Sequence, residues 1–277
     1  MAYVTPMDEY LFDLRGYLVL KGALSPREVA RVNAGIDAIP DLANGEWFGN
    51  VEGHTYYGDG EGRNLQNIVE GGEPFEELID HPAWLPHVTR FVGGDDGLFI
   101  DETFANLRGP SEYLPLHSGG DKRRIRTQFR FHNNAFRCGQ INILMALTDI
   151  HAGDGPTVVI PGSHKANLRH PEFVAGEAAN HVAPENVTGA VPVPLDAGDA
   201  LLFVDTISHG GSQRVNPGLR RIMVYRYGPQ WGATRLGYEY SDALIARLTP
   251  ERARILRPVA KRVPPGYAPT RCGSELT

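Results

Sequence analysis

Two histidines and an arginine stand where metal chemistry could be done. His117 closes the apolar stretch YLPLH and is followed by Ser118, Gly119, Gly120 and Asp121. His209 follows the run DALLFVD, and Arg220 lies eleven residues further on. Imidazoles suit iron(II), and two histidines with a carboxylate on one face form the oxygen-activating non-haem iron arrangement. An arginine buried near such a site needs an anion, because a lone buried cation is costly. A carboxylate held bidentately is its best partner. Ninety-two positions separate the histidines, so linear spacing says nothing about their meeting. They need a fold that gathers distant strand ends at one mouth.

Turn residues point to such a fold. Glycine (32) and proline (21) are spread along the 277 residues rather than gathered in a linker. From about residue 96 the stretches LFIDETFANLRG, SEYLPLHS, RTQFRFHN, QINILMALTDI, PTVVIPGS, VPVPLDAGDALLFVDTISHGG and RRIMVYRYGPQW follow one another. Each joins β-branched or aromatic residues to turn residues at its ends, which predicts an antiparallel sandwich or barrel. Ahead of them come a short helix, a strand around Tyr17–Leu20 and a second helix. That helix has Ser25 as N-cap, Pro26 at its first position and Glu28 closing a capping box. Val29, Val32 and Ile36 give it an apolar stripe at helical spacing. HPAWLPHVTRFVGG predicts a further short helix ending at a glycine pair, and SDALIARL another; residues 41–75 read as loop. The expectation is one α+β, β-rich domain over 1–277. It has a helical part at about 1–95, a β core at about 96–232 and a C-terminal extension at 233–277.

Composition narrows the functional classes. Hydrophobic residues make up 42% and charged residues 22% of the chain, ordinary for a globular protein. A net charge of −6 gives no global case for a nucleic-acid polymer or an acidic membrane. Two cysteines are too few for a disulfide framework. The N-terminus has no apolar signal segment and INILMAL is too short to span a bilayer. A soluble, cytoplasmic protein is expected.

The residues carry a resemblance. GYLVLKGALSPREV, MALTDIHAGDGPTVVIPGSHKAN, and His209 with NPGLR ahead of RIMVYRYG resemble the phytanoyl-CoA dioxygenase family of iron(II)/2-oxoglutarate-dependent oxygenases, over roughly residues 9–230. The resemblance implies a double-stranded β-helix, or jelly roll, and the cofactors Fe(II), 2-oxoglutarate and O2. His117 and His209 resemble the two histidine ligands, and Arg220 the arginine that pairs with the distal carboxylate of 2-oxoglutarate. Adjacent strand residues face opposite ways, so Arg221 is left as a surface charge. By the same alternation Asn142 and Leu144 face the site while Ile141 and Ile143 do not. Asn142 is then a candidate cosubstrate contact, and Thr157 another.

The chain departs from the family at Gly119, where the pattern His-x-Asp calls for a carboxylate. Three explanations compete. Iron(II)/2-oxoglutarate halogenases are known for a small residue here, and chloride beside Gly119 would make the outcome chlorination. Alternatively water or Asp121 reaches the iron, the two glycines permitting a looped approach, and the enzyme is a hydroxylase. In the third the protein only binds 2-oxoglutarate or a metal. A cupin-like isomerase using another divalent metal is a further rival. Chlorination is the first reading, because Asp121 lies four residues from His117 instead of two.

Beyond His117, Lys122, Arg123, Arg124, Arg126 and Arg130 form a local basic run in an acidic chain. Such runs are commonly solvated faces. At an active-site rim they would suit a phosphate-bearing small molecule such as a nucleotide, since arginine forks match phosphate oxygens. His164 reads as a turn residue of PGSHK; His132, His151, His170 and His181 as loop or surface residues. Phe129, Phe131, Tyr225, Tyr227 and Trp231 could wall a substrate cavity but read mostly as core.

Overall fold

Both N-terminal helices begin at the caps the sequence sets. In the computed structural model, which describes residues 3–55, 62–93, 97–122, 124–172, 182–232 and 238–257, α1 (Pro6–Arg15) has Thr5 and Asp8 in a reciprocal capping box and ends at Gly16 in the left-handed conformation. Then come β1 (Tyr17–Leu20) and α2 (Pro26–Asp37), the latter opened by Ser25 and Glu28 as expected. Next are β2 (Trp47–Phe48), β3 (Val51–His54), β4 (Arg63–Gln66), α3 (Glu73–Glu76), α4 (Leu85–Val92) and β5 (Leu98–Arg108). The remaining strands are β6 (Leu114–His117), β7 (Phe131–His132), β8 (Ala135–Phe136), β9 (Ile141–Ala146), β10 (Thr157–Val159), β11 (Val191–Val193), β12 (Ala200–Val204), β13 (His209–Gly211) and β14 (Arg220–Pro229). Helices α5 (Asp242–Arg247) and α6 (Pro250–Leu256) follow.

The strands form an eight-stranded sheet, ordered β1-β12-β9-β14-β5-β4-β3-β2, and a four-stranded sheet, ordered β11-β10-β13-β6. The β-rich α+β expectation therefore holds. Two local expectations do not. Residues 41–75 are not all loop, because β2, β3 and β4 pair onto β5 and extend the large sheet. The N-terminal part thus contributes strands to the same sheet as the core. RTQFRFHN is not a strand throughout: Ile125–Thr127 is a single 3-10 turn and only Phe131–His132 pairs, with β8. Cross-strand partners, invisible to periodicity, decided both cases.

Alternation along β14 explains how the sheet serves two faces. Met223, Tyr225 and Tyr227 point to the helices, where the Tyr225 hydroxyl donates to Phe75 O at 2.6 Å and that of Tyr227 to Ile79 O at 2.9 Å. Phe12, Val32, Ile36, Phe75, Trp84 and Phe91 join them in the main core. Arg221, on the same face as these tyrosines but at the strand end, bonds Asp37 on α2 at 2.6 Å. Arg220, Ile222, Val224 and Arg226 point the other way, toward the four-stranded sheet. No helix among the described residues is long and apolar enough to cross a membrane.

Candidate active site

The pairing of β6 with β13 brings the two histidines together: His209 lies directly across from His117 in the register. Their ring centroids are 4.2 Å apart. Each ring is oriented through Nδ1, at 3.1 Å from Pro115 O for His117 and 2.8 Å from Ile207 O for His209. A carbonyl only accepts, so Nδ1 carries the proton and Nε2 keeps its lone pair, the tautomer a metal ligand needs. Burial, and then the facing His117, hold His209 well below the usual histidine range. The His209 ring therefore stays neutral. This donor set fits a divalent transition metal.

Gly119 sits in a turn that only glycine relaxes into. Its φ is +121°, after Ser118 at +64°. A Cβ at position 119 would lie 2.7 Å from Asp121 Oδ1 and 3.1 Å from Ser208 Oγ. The turn is closed by the Lys122 N–H donating to Gly119 O at 3.1 Å, which folds Asp121 back over Gly119. It is also fastened to the rest of the site. Gly119 N–H donates to Thr206 O at 2.8 Å and Gly120 N–H to Ser163 O at 3.0 Å, while Ser163 Oγ accepts from Ser208 N–H at 2.8 Å. The PGSHK turn thus braces both histidine-bearing strands. Among the described residues one triad places its potential ligand atoms within 4.8 Å of one another, the exposed Asp149, His151 and Asp196. No carboxylate among the described residues completes such a group with His117 and His209.

Inside the barrel the cosubstrate candidates separate. Arg220 is 4% exposed; its Nη1 donates to Gly155 O at 2.5 Å and its Nη2 to Asn106 Oδ1 at 2.8 Å. Its Nε has no hydrogen-bond partner among the described residues. Burial, and then Arg108 and Arg214, push its guanidinium down to about 9. A cation so placed fits an anionic group such as a 2-oxoglutarate carboxylate. Thr157, also buried, pairs with Gly211 on β13 and shares the inner face with Val159 and His209. Asn142 pairs in register with Arg226, six residues along β14 from Arg220, about 20 Å at the usual rise per residue. Its other partner, Phe203, lies 4.8 Å from the His209 ring. Asn142 therefore belongs to the histidine end of the cavity and does not share a carboxylate with Arg220.

Sequence reasoning passed over several buried polar groups. Asp205, 4% exposed, accepts from Asn142 Nδ2 at 3.3 Å and lies 3.6 Å from Arg126 Nε. Burial pushes its carboxyl up, against the pull of Arg226, the Asn142 hydrogen bond and His117. Glu102 pairs with Arg226 at 2.7 Å on the same inner face. Arg108 and Arg214 are buried beside Arg220. A carboxylate four residues before His209 was the one available signal, and register hid the rest. In the basic run, Arg124 and Arg130 are exposed, Arg126 is half-buried against Asp205, and Arg123 falls outside the described residues. His164 is buried, with Nε2 3.1 Å from Asp13 O. His132 and His151 are exposed, His170 is half-buried, and His181 is outside the described residues. Phe129 packs on the core and Phe131 is exposed; the Trp231 side chain is outside the described set.

Comparison with known proteins places this geometry. Residues 12–222 match the phytanoyl-CoA dioxygenase (PhyH) family. Dioxygenase cdmD of Talaromyces verruculosus is 21% identical over 244 residues, covering 82% of this chain and 75% of the relative. Dioxygenase trt7 of Aspergillus terreus is 24% identical over 213 residues, covering 74% and 67%. Among solved structures, HygX from Streptomyces hygroscopicus with nickel and 2-oxoglutarate bound superposes with a TM-score of 0.71 at 23% identity, over 86% of this chain and 93% of that one. The 2-oxoglutarate-dependent epimerase SnoN from nogalamycin biosynthesis gives 0.58 at 17%, over 80% and 81%. These structural likenesses show the fold.

Proposed function

The chain belongs to the phytanoyl-CoA dioxygenase family of iron(II)/2-oxoglutarate-dependent enzymes, and from that premise we propose that it functionalises a C–H bond of a small anionic molecule, with chlorination as the outcome. Iron would be held by His117 and His209 and would supply, with 2-oxoglutarate and O2, the oxidising power the side chains lack. Arg220 would anchor the cosubstrate. The protein's part is to hold both imidazoles in the ligating tautomer, bind the anions and keep water from the cavity. Family membership sets aside the binding-only and cupin-like isomerase readings.

One observation carries the chlorination reading: His117 and His209 face each other with no carboxylate completing their group among the described residues, and Gly119 leaves the family's carboxylate position without a side chain. Hydroxylation is the second reading, favoured by the Asp121 oxygen 2.7 Å from the place of the missing Cβ.

For the substrate, the exposed Arg124 and Arg130 beyond His117 support a phosphate-bearing molecule such as a nucleotide, as guanidinium forks match phosphate oxygens; Arg123 adjoins Arg124 in sequence. HygX has been solved with hygromycin B bound and SnoN with nogalamycin RO, which supports a small-molecule substrate here.

The test is anaerobic titration of iron-loaded protein with 2-oxoglutarate, with and without chloride, following the visible charge-transfer band. Chloride shifting the band and tightening 2-oxoglutarate binding in wild type supports chlorination. A band that chloride leaves unchanged, but that Asp121→Ala alters, hands the reading to hydroxylation.

A further inference from the structure

The arginines at the end of the barrel away from Asn142 add a residue to the cosubstrate site, an inference that rests on the 2-oxoglutarate reading above. Arg220 and Arg108 are register partners on β14 and β5. Both are withdrawn from water, Arg108 at 0% and Arg220 at 4% exposure. Arg214, equally buried, is answered by Asp154 at 3.0 Å. Arg220 is not answered in kind: its hydrogen-bond acceptors are a backbone carbonyl and an amide oxygen, both neutral.

Arg108 is aimed by its own contacts. Its Nε donates to Ser111 Oγ at 2.6 Å and its Nη2 to the Glu112 carbonyl. That grip turns Nη1 toward β13 and the loop before β10, where it lies 3.1 Å from the Cβ position of Gly211 and 3.4 Å from that of Gly155. Gly155 is also the residue whose carbonyl holds Arg220 Nη1. Two guanidiniums on neighbouring strands therefore border Gly155, one through its carbonyl and the other beside its Cα.

The geometry points to Arg108 as a second cation for the distal carboxylate of 2-oxoglutarate, shared with Arg220. Each carboxylate oxygen then meets its own guanidinium in a charge-assisted hydrogen bond, stronger than a neutral one. A carboxylate bound between the two guanidiniums would offset the repulsion of two like charges on neighbouring strands. The depressed proton affinity of Arg220, caused by burial and then by Arg108 and Arg214, accords with that arrangement. A rival role for Arg108 is structural: through Ser111 and Glu112 it could merely fasten the turn between β5 and β6.

The experiment is calorimetric titration of anaerobic, iron-loaded protein with 2-oxoglutarate and with 2-oxovalerate, which has the same chain length and a methyl group in place of the distal carboxylate. Arg108→Gln is expected to weaken 2-oxoglutarate at least tenfold and to leave 2-oxovalerate within twofold of wild type. Arg108→Lys keeps the charge but loses the fork, so a smaller loss of threefold or more is expected, again confined to 2-oxoglutarate. It also serves if the glutamine variant fails to fold. Arg220→Gln is the reference for full loss. If wild type does not bind 2-oxoglutarate, the underlying cosubstrate reading fails. If wild type binds it and the Arg108 variant that folds binds it within twofold, or weakens both ligands alike, Arg108 is a structural residue and the proposal is overturned.

Discussion

Replacing Gly119 by alanine should destabilise the protein through backbone and packing together. The native φ of +121° is one that L side chains rarely adopt, and holding a side chain in such a region costs on the order of 1–3 kcal/mol. The new Cβ would also stand 2.7 Å from Asp121 Oδ1 and 3.1 Å from Ser208 Oγ. Asp121 is the free end of a side chain and can swing away. Ser208 is buried, so its Oγ has to turn within a packed site or the backbone has to shift. A total of about 2–4 kcal/mol follows, adding roughly 1 kcal/mol for the crowding to the strain. At about 2–4 °C per kcal/mol for a chain approaching this size, Tm should fall by roughly 5–15 °C. Differential scanning calorimetry on Gly119→Ala, with Asp121→Gly and the double variant beside it, reads this directly. Removing the Asp121 side chain should recover only the small steric part and leave the backbone part in place. The same strain means that Gly119→Asp does not simply restore the family's carboxylate; it should bind iron less tightly than a relaxed His-x-Asp turn would. A Gly119→Ala protein that melts within 1 °C of wild type would refute the argument from φ, and with it the claim that this turn is committed to glycine.

Three further outcomes are expected. Ser163→Ala removes the acceptor for the buried Ser208 N–H, at about 1–3 kcal/mol, and should speed loss of bound iron to a chelator because Ser208 adjoins His209; urea unfolding and chelator kinetics check the two halves. Tyr225→Phe deletes the hydroxyl that donates to Phe75 O at 2.6 Å and leaves a buried carbonyl short of a donor, so urea unfolding should report a loss of about 1–2 kcal/mol with the m-value unchanged. Burial, resisted by the hydrogen bond to Asp13 O and reinforced by Lys165, lowers His164 to about 4. Its folded value is below the unfolded one, so its contribution is complete above about pH 6.5 and lost as pH falls toward 4. That window should remove roughly 3 kcal/mol of stability from wild type at about 1.4 kcal/mol per pH unit. His164→Gln should flatten the slope across it, and an unchanged slope would show that other groups govern acid unfolding.

Local chemistry was legible in the chain itself. Thr5 with Asp8 and Ser25 with Glu28 fix helix starts through hydrogen bonds between residues three positions apart, so four residues of sequence suffice to see them. The alternation in RRIMVYRYG separates Arg220 from Arg221 because a strand's faces repeat every second residue. Gly119 announced a departure from the family by its identity alone. The rest depended on partners far away in the sequence. Nothing near His117 says that it faces His209, since that meeting is made by the β6–β13 register. Arg108 looks like any strand-end arginine until β14 lays Arg220 beside it. Asp121 reads only as a candidate for a looped approach until the Gly119–Lys122 turn folds it over the missing side chain. Trp47–Phe48, Val51–His54 and Arg63–Gln66 carry too little alternation to announce strands, yet β4 pairs onto β5, β3 onto β4 and β2 onto β3, which makes them so. Periodicity records which face a residue takes; only the pairing of strands, set by hydrogen bonds between segments remote in the chain, decides what stands across from it.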